Sequence, residues 1–357
     1  MDALKDWAHR NKWIARYFER RKDRERDAAF DRYLQASVGE AVRWKDRSDA
    51  IASARTQIAH LTSIPDPPPR KGSPSKVRIR APDLETLSRA LNNDTVGSVE
   101  LRAAERIASI DPEEITAFKL YLAVLWLANA AVITAIRATP RDRVVLHMTC
   151  MPRIGRAEKS VESFPPNVCG TTHLKLVGTG VEYSYERSAT LLGVPARDSY
   201  ECLPQKVFDA MSMLVLAHNP SVLLKLDDDH RLANADELEQ LLTYAADSSE
   251  PVQLGEVNRT PSPSAHHRGW HFGKCANPEL NDRIVEMPAP SKWAAGSSGY
   301  IVNRAAMWRI LWATLYYRQW LAEILYEDIA LAEVATKTGI RIVNVRMNRA
   351  ITAVTDY

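Results

Sequence analysis

The stretch "VLLKLDDDHRL", residues 222–232, decides how this chain is read. A run of strand-forming apolar residues ends in three adjacent carboxylates, Asp227, Asp228 and Asp229. Three like charges side by side repel one another, so the run is costly unless something neutralises it. One account is local: a turn followed by a helix start, because "NADELEQLLTYA" begins at Asn234. That helix already has a cap in Asn234 or Asp236, which leaves the aspartates unexplained. The other account is a divalent cation. Hard carboxylate oxygens suit Mg2+ or Mn2+, and an ion held by one or two carboxylates completes its shell with water and substrate phosphates. A nucleotide diphosphate that arrives with the metal would balance the charge.

The surroundings place the aspartates at a strand end. "RVVLHMTC" (143–150), "THLKLVGTG" (172–180) and "PSVLLKL" (220–226) read as strands. "SVESF" (160–164) and the amphipathic "PQKVFDAMSMLVLAH" (204–218) read as helices between them. Strand alternating with helix argues for an α/β sheet flanked by helices. In such sheets ligands sit beyond the carboxyl ends of the strands.

Composition sets the bounds. The chain has 357 residues, 45% of them hydrophobic and 25% charged, which excludes a mostly disordered protein. A net charge of +3 is too mild to imply a nucleic-acid partner, and none is expected. The four cysteines form no CxxC pair, so neither a zinc site nor a disulfide framework is indicated. "MDALKDWAHRNKW" has no apolar signal core, and a cytoplasmic location is expected. Residues 1–62 carry Phe30, Tyr33 and Leu34 at helical spacing beside dense mixed charge, as an amphipathic helical arm would; a basic helix lying peripherally on an anionic membrane is the alternative. Residues 63–76 contain five prolines and form a linker. Residues 77–140 read as helices docked on a catalytic domain at 141–357. Within them "ITAFKLYLAVLWLANAAVITAI" (115–136) is long and apolar, but Lys119, Asn129 and Thr134 interrupt it. The preceding "DPEE" predicts a soluble start, with Asp111 as N-cap and Glu114 closing a capping box, so a buried helix is expected rather than a membrane span.

Late in the chain, "KWAAGSSGYIVNRAAM" (292–307) combines a glycine-rich turn with a helix capped by Asn303. "YEDIALAEVATKTGI" (326–340) predicts a helix from about Glu327 that ends at Gly339. Asp328 lies in its first turn, where the helix field favours the ionised carboxylate and a base could act on a hydroxyl.

With "VPARDSYECLPQKVFDAM" (194–211) and "QLGEVN" (253–258), these blocks resemble, in order and spacing, the beta-1,3-galactosyltransferase and Fringe-related glycosyltransferases. The resemblance covers roughly residues 143–346. It implies a GT-A-type nucleotide-sugar-binding mixed sheet flanked by helices, here with an α-helical N-terminal extension. It further implies an inverting, metal-dependent hexosyltransferase that uses a UDP-sugar donor and a glycan or glycolipid acceptor. By the resemblance Asp229 holds Mn2+ (or Mg2+), Asp227 touches the ribose or a metal-bound water, and Asp328 is the catalytic base. Thr149, Arg153 and Asp228 would line the nucleotide pocket. Lys206 would pair either with an aspartate or with a phosphate. The family's late histidine ligand is missing: Asn344 stands in its place, and its amide oxygen is a weaker hard donor. His266, His267 and His271 are alternative donors. A nucleotidyl- or phosphotransferase using the same aspartates, or a non-catalytic nucleotide-sugar-binding protein, remains open from the residues.

Overall fold

The computed structural model describes residues 24–63, 76–110, 114–139, 142–258, 269–285 and 290–354. Residues 1–23 of the expected arm, most of the proline-rich linker, and Asp111 and Pro112 lie outside them. The chain divides into two compact units. One comprises Met1–Arg32, Arg141–Ser212 and Pro220–Tyr357; the other comprises Tyr33–Pro140 and Met213–Asn219.

The second unit is helical. Its elements are α1 (Arg24–Arg43, from Tyr33 onward), α2 (Arg47–Ser63), α3 (Lys76–Asn93), α4 (Ser98–Ile110), α5 (Ile115–Ala128) and α6 (Ala130–Arg137). Of the stretch expected as an arm, Leu34, Val38, Ala41, Ala54 and Leu61 are buried in this unit. α5 is buried all round, from Thr116 to Leu127, except at Lys119, whose ammonium reaches Glu40 at 2.6 Å. This is the buried helix that its uniform apolarity called for. Its start differs from the expectation. Glu114 is itself the N-cap residue and makes no side-chain cap bond. Its carboxylate instead neutralises the buried Arg80 at 2.6 Å. An unpaired guanidinium inside the unit would cost more than a missing cap, so Arg80 takes the carboxylate. Arg137, at the end of α6, donates to the carbonyls of Val42 (3.1 Å), Trp44, Leu216 (2.8 Å) and Ala217 (2.9 Å), satisfying backbone acceptors at two helix ends. No single helix among the described residues is long and apolar enough to cross a membrane; α5 and α6 pass such a test only together, and they are bent by 78° at Asn129.

The first unit is an eight-stranded mixed sheet flanked by helices, a GT-A-like architecture. Its strands are β1 (Arg143–Met148), β2 (Thr171–Gly178), β3 (Ser184–Glu186), β4 (Leu191–Val194), β5 (Val222–Asp227), β7 (Val252–Gly255), β10 (Tyr300–Asn303) and β11 (Arg341–Asn344). Their order is β11-β7-β10-β5-β1-β2-β4-β3. β5, β1, β2 and β4 are parallel, whereas β10 runs antiparallel between β5 and β7. Two small ribbons complete the set: β6 (His230–Leu232) with β12 (Ile351–Ala353), and β8 (Val257–Asn258) with β9 (Trp293–Ala294). The helices are α7 (Ile154–Glu162), α8 (Leu203–Ala217, to Ser212 within this unit), α9 (Ala235–Asp247), α10 (Pro278–Asn281), α11 (Arg304–Tyr316), α12 (Arg318–Leu321) and α13 (Glu327–Thr338).

This topology fixes the site. From β1 the chain passes through α7 to β2 on one side; α8 leads to β5 on the other side of β1. The carboxyl ends of β1 and β5 therefore flank a switch point, where open α/β sheets form a crevice. Their register pairs Met148 with Asp227, so Thr149 and the aspartate run emerge side by side. Strand alternation does the rest. Val222, Leu224 and Leu226 point into a core with Leu238 and Leu242 of α9. Lys225 and Asp227 share the opposite face.

Candidate functional site

The three aspartates have three different environments. Asp228 is buried; it accepts from the Thr149 hydroxyl at 2.9 Å and from Arg153 at 2.6 Å. Both carboxylate oxygens are thus occupied by protein donors. Burial pushes its pKa up, and Arg153 opposes the rise without cancelling it. Asp229 is half-buried, with its nearest cation, Arg156, at 3.5 Å. Asp227 accepts from the Lys225 ammonium at 2.7 Å. Burial alone would raise Asp227, but Lys225, with His230 and Arg153, outweighs it and holds the carboxyl below its ordinary value.

Asp227, Asp229 and His230 place one donor atom each within 4.8 Å of one another, a spacing suited to a metal ion. The hydrogen bonds of His230 narrow that set. Its Nδ1 accepts the Asp227 N–H at 2.8 Å, and Nε2 lies 2.9 Å from the Ser297 carbonyl, to which it donates. Both ring nitrogens are spent on shaping the turn. The donors that remain are the Asp227 and Asp229 carboxylates, an all-oxygen pair that fits Mg2+ or Mn2+ better than zinc.

Lys225 joins this cluster to the start of α13. Its fully buried ammonium lies 3.3 Å from Glu327 and 3.5 Å from the Gly296 carbonyl. Burial opposes the charge on Lys225, but Asp227 and Glu327 together raise its pKa. Glu327 is pushed up to about 7, chiefly by burial, against the pull of Lys225. Asp328 accepts the Gly296 N–H at 3.1 Å and its own helix's Ile329 N–H at 2.8 Å. Burial raises its pKa, and those donors limit the rise. A Cβ on Gly296 would stand 2.8 Å from Glu327, so only glycine lets this turn approach the carboxylates so closely.

Lys206, fully buried, pairs with Asp198 at 2.7 Å and donates to the Thr149 carbonyl at 2.8 Å. Asp198 also accepts the N–H groups of Met151 (2.7 Å) and Gly178 (3.0 Å), which fixes the loops after β1 and β2. The amide oxygen of Asn344 accepts the Val257 N–H at 2.9 Å, stitching β11 to β8. His271 is fully buried, with one ring nitrogen 2.8 Å from the Tyr326 hydroxyl and the other 2.9 Å from the Arg283 carbonyl. This corrects its reading as an alternative metal donor, because neither nitrogen is free. His266 and His267 lie outside the described residues.

The structure thus gathers Thr149, Arg153 and Asp227–Asp229 at one strand end and links them through Lys225 to Glu327 and Asp328. Lys225, Arg156 and His230 are the members that the sequence did not single out. Lys225 had a signal: it stands two residues before Asp227, on the same face of one strand. No protein-family model matches the chain, and no curated protein matches it.

Proposed function

We propose that this chain is a metal-dependent, inverting glycosyltransferase that moves a hexose or N-acetylhexosamine from a UDP-sugar to a hydroxyl of a glycan or glycolipid. One observation carries the reading. Asp227, one of the two carboxylates able to hold a divalent cation, and the buried helix-start carboxylate Glu327, which adjoins the partly exposed Asp328, are far apart in the chain and both pair with one buried lysine, Lys225. Asp227 and Asp229 would hold Mn2+ or Mg2+. When bound, such an ion offsets the charge of a departing diphosphate. Arg153 and Thr149, fixed by Asp228, line the crevice where the nucleotide enters. Asp328 is oriented by two backbone N–H groups and accepts the proton of the attacking hydroxyl. The order of sequence blocks supports both the donor class and the inversion. The amphipathic character of the N-terminal residues supports peripheral membrane contact, which would bring a glycolipid acceptor near.

The test is thermal shift with a panel of UDP-sugars, with Mn2+ or with EDTA. A bound donor raises the apparent stability by mass action. Stabilisation by a UDP-sugar only with Mn2+, followed by release of UDP in the presence of acceptor, supports the assignment. Release of pyrophosphate from UTP and a sugar 1-phosphate would instead assign the same aspartates to a nucleotidyltransferase.

A further inference from the structure

The segment Gly269–Arg283 presents two aromatic side chains to solvent. Trp270 and Phe272 are each 44% exposed, while His271 between them is buried. This alternation is built in. The ring of His271 is anchored at Tyr326, the residue before Glu327 and Asp328. Phe272 closes a turn by donating its N–H to the Gly269 carbonyl at 3.0 Å. Asn281 holds Cys275 through both amide atoms, at 2.7 Å and 2.9 Å. Glu201 accepts the N–H groups of Ala276 and Asn277, each at 3.1 Å, which ties the segment to the Tyr200–Cys202 turn. The platform therefore bridges that turn and the helix start that carries Asp328.

Lys274 lies between the two. Its ammonium is 5.0 Å from the Trp270 ring and 5.5 Å from the Tyr200 ring. Among the described residues no carboxylate comes within ion-pair distance of it, and the nearby Glu201 is satisfied by backbone donors instead. Partial burial lowers its pKa, as it does for an ammonium that has lost some water without gaining a counter-charge. Tyr200 in turn stands in the negative field of Tyr326, Asp328, Glu327 and Asp227, which adds to burial in raising its phenol. An exposed aromatic face suits the C–H face of a sugar ring, and an unneutralised ammonium beside it suits an anion.

We propose that Trp270, Tyr200 and Lys274 form the acceptor subsite, and that the acceptor is an anionic sugar bearing a carboxylate or a phosphate ester. The ring stacks on Trp270 and the anion pairs with Lys274. The proposal rests on the glycosyltransferase reading for the word acceptor, but the binding it asserts does not require a donor. It is tested without UDP-sugar or metal, by ligand-observed NMR titration with p-nitrophenyl β-glucuronide, p-nitrophenyl β-glucoside and glucose 6-phosphate.

The expected result is that at least one anionic ligand binds roughly tenfold more tightly than the neutral glucoside, the scale of one hydrogen bond to a charged group. Whichever of glucuronide and phosphate binds better identifies the anion. Lys274→Gln should abolish the preference and Lys274→Arg should keep it, while Trp270→Ala should weaken all three ligands together. Equal binding of charged and neutral ligands, no binding of any, or a preference that survives in Lys274→Gln overturns the proposal. The Mn2+-dependent UDP thermal shift, measured on the same samples, separates the two readings. If that shift fails while the anion preference holds, the enzyme assignment falls and the subsite stands.

Discussion

The ammonium of Lys225 lies 3.3 Å from Glu327 while holding Asp227 at 2.7 Å, so one buried cation serves two carboxylates 100 residues apart in the sequence. Lys225 and Glu327 are both nearly inaccessible to water, and charges there persist only as a set. Removing one partner strands the others.

Lys225→Met should therefore destabilise the protein by about 3 kcal/mol, within the range for breaking a buried pair. Glu327 softens the loss, because a carboxyl whose pKa is already about 7 can take a proton instead. The double variant Lys225→Met/Glu327→Gln should recover part of the loss. Urea denaturation of the four proteins closes the cycle, and additive effects in it would show that the two residues do not interact.

A second prediction concerns pH. His147 Nε2 and His173 Nδ1 lie 2.9 Å apart, and His147 Nδ1 lies 2.9 Å from the Ser160 hydroxyl, which donates to the His230 carbonyl at 2.6 Å. Burial depresses His173 to about 4 and pushes His147 well below its ordinary value. Between pH 6.5 and 4 the unfolded chain binds protons on these rings that the folded one refuses, so their contribution to stability is lost as pH falls through that window. Glu327 acts with the opposite sign. Its folded pKa of about 7 exceeds the ordinary 4.5, so between those values the folded state binds the extra proton and gains stability as pH falls. His173→Gln should flatten the acid loss, and Glu327→Gln should steepen it. Melting temperatures at pH 7.5, 6.0 and 4.5 check both signs.

The aspartates should separate by role. Asp229→Ala should abolish Mn2+-dependent UDP binding with little effect on melting temperature, because its side chain is half-exposed and weakly paired. Asp228→Ala should weaken UDP binding by releasing Arg153 and Thr149, yet leave the remaining binding sensitive to EDTA. Calorimetry with and without chelator distinguishes them; an EDTA-insensitive Asp228→Ala would place the metal on Asp228.

Much of this was legible locally. Asn234 accepts the N–H groups of Asp236 and Glu237, and Asn303 that of Ala306, as the two cap readings required. Gly339, at φ 86°, ends α13 where a left-handed residue was expected. The α/β sheet flanked by helices followed from strand and helix alternating, and its mixed character from the resemblance. What was not legible depended on partners distant in sequence. Glu114 reads as a capping box until Arg80 claims it, and His271 reads as a donor until Tyr326 occupies it. The edge pair β3 and β4 carries too few residues to show a period, and its turn at Thr190 takes φ 48° without a glycine to mark it. Lys225 was hidden because an apolar run invites no question about which face each residue takes.

The last prediction tests the base. Asp328 is the carboxylate at this helix start with partial exposure, whereas Glu327 beside it is buried against Lys225. Its two oxygens accept the Gly296 and Ile329 N–H groups, which fixes its orientation before any substrate arrives. Burial raises its pKa, and a stronger base abstracts a hydroxyl proton more readily provided it stays ionised at the working pH. Asp328→Asn removes the basicity but keeps the shape. Its amide must turn an NH2 toward one of the two N–H donors, so it should also cost about 1 kcal/mol of stability, the scale of one lost hydrogen bond. A base acts at the chemical step, so turnover should fall at least roughly 100-fold while UDP-sugar affinity stays near that of the parent. Proton abstraction alone does not set stereochemistry; direct attack by the activated hydroxyl does, and it should convert an α-linked donor into a β-linked product visible by NMR. Near-parent turnover in Asp328→Asn, or a product that retains the donor's configuration, would assign the chemistry to a different residue.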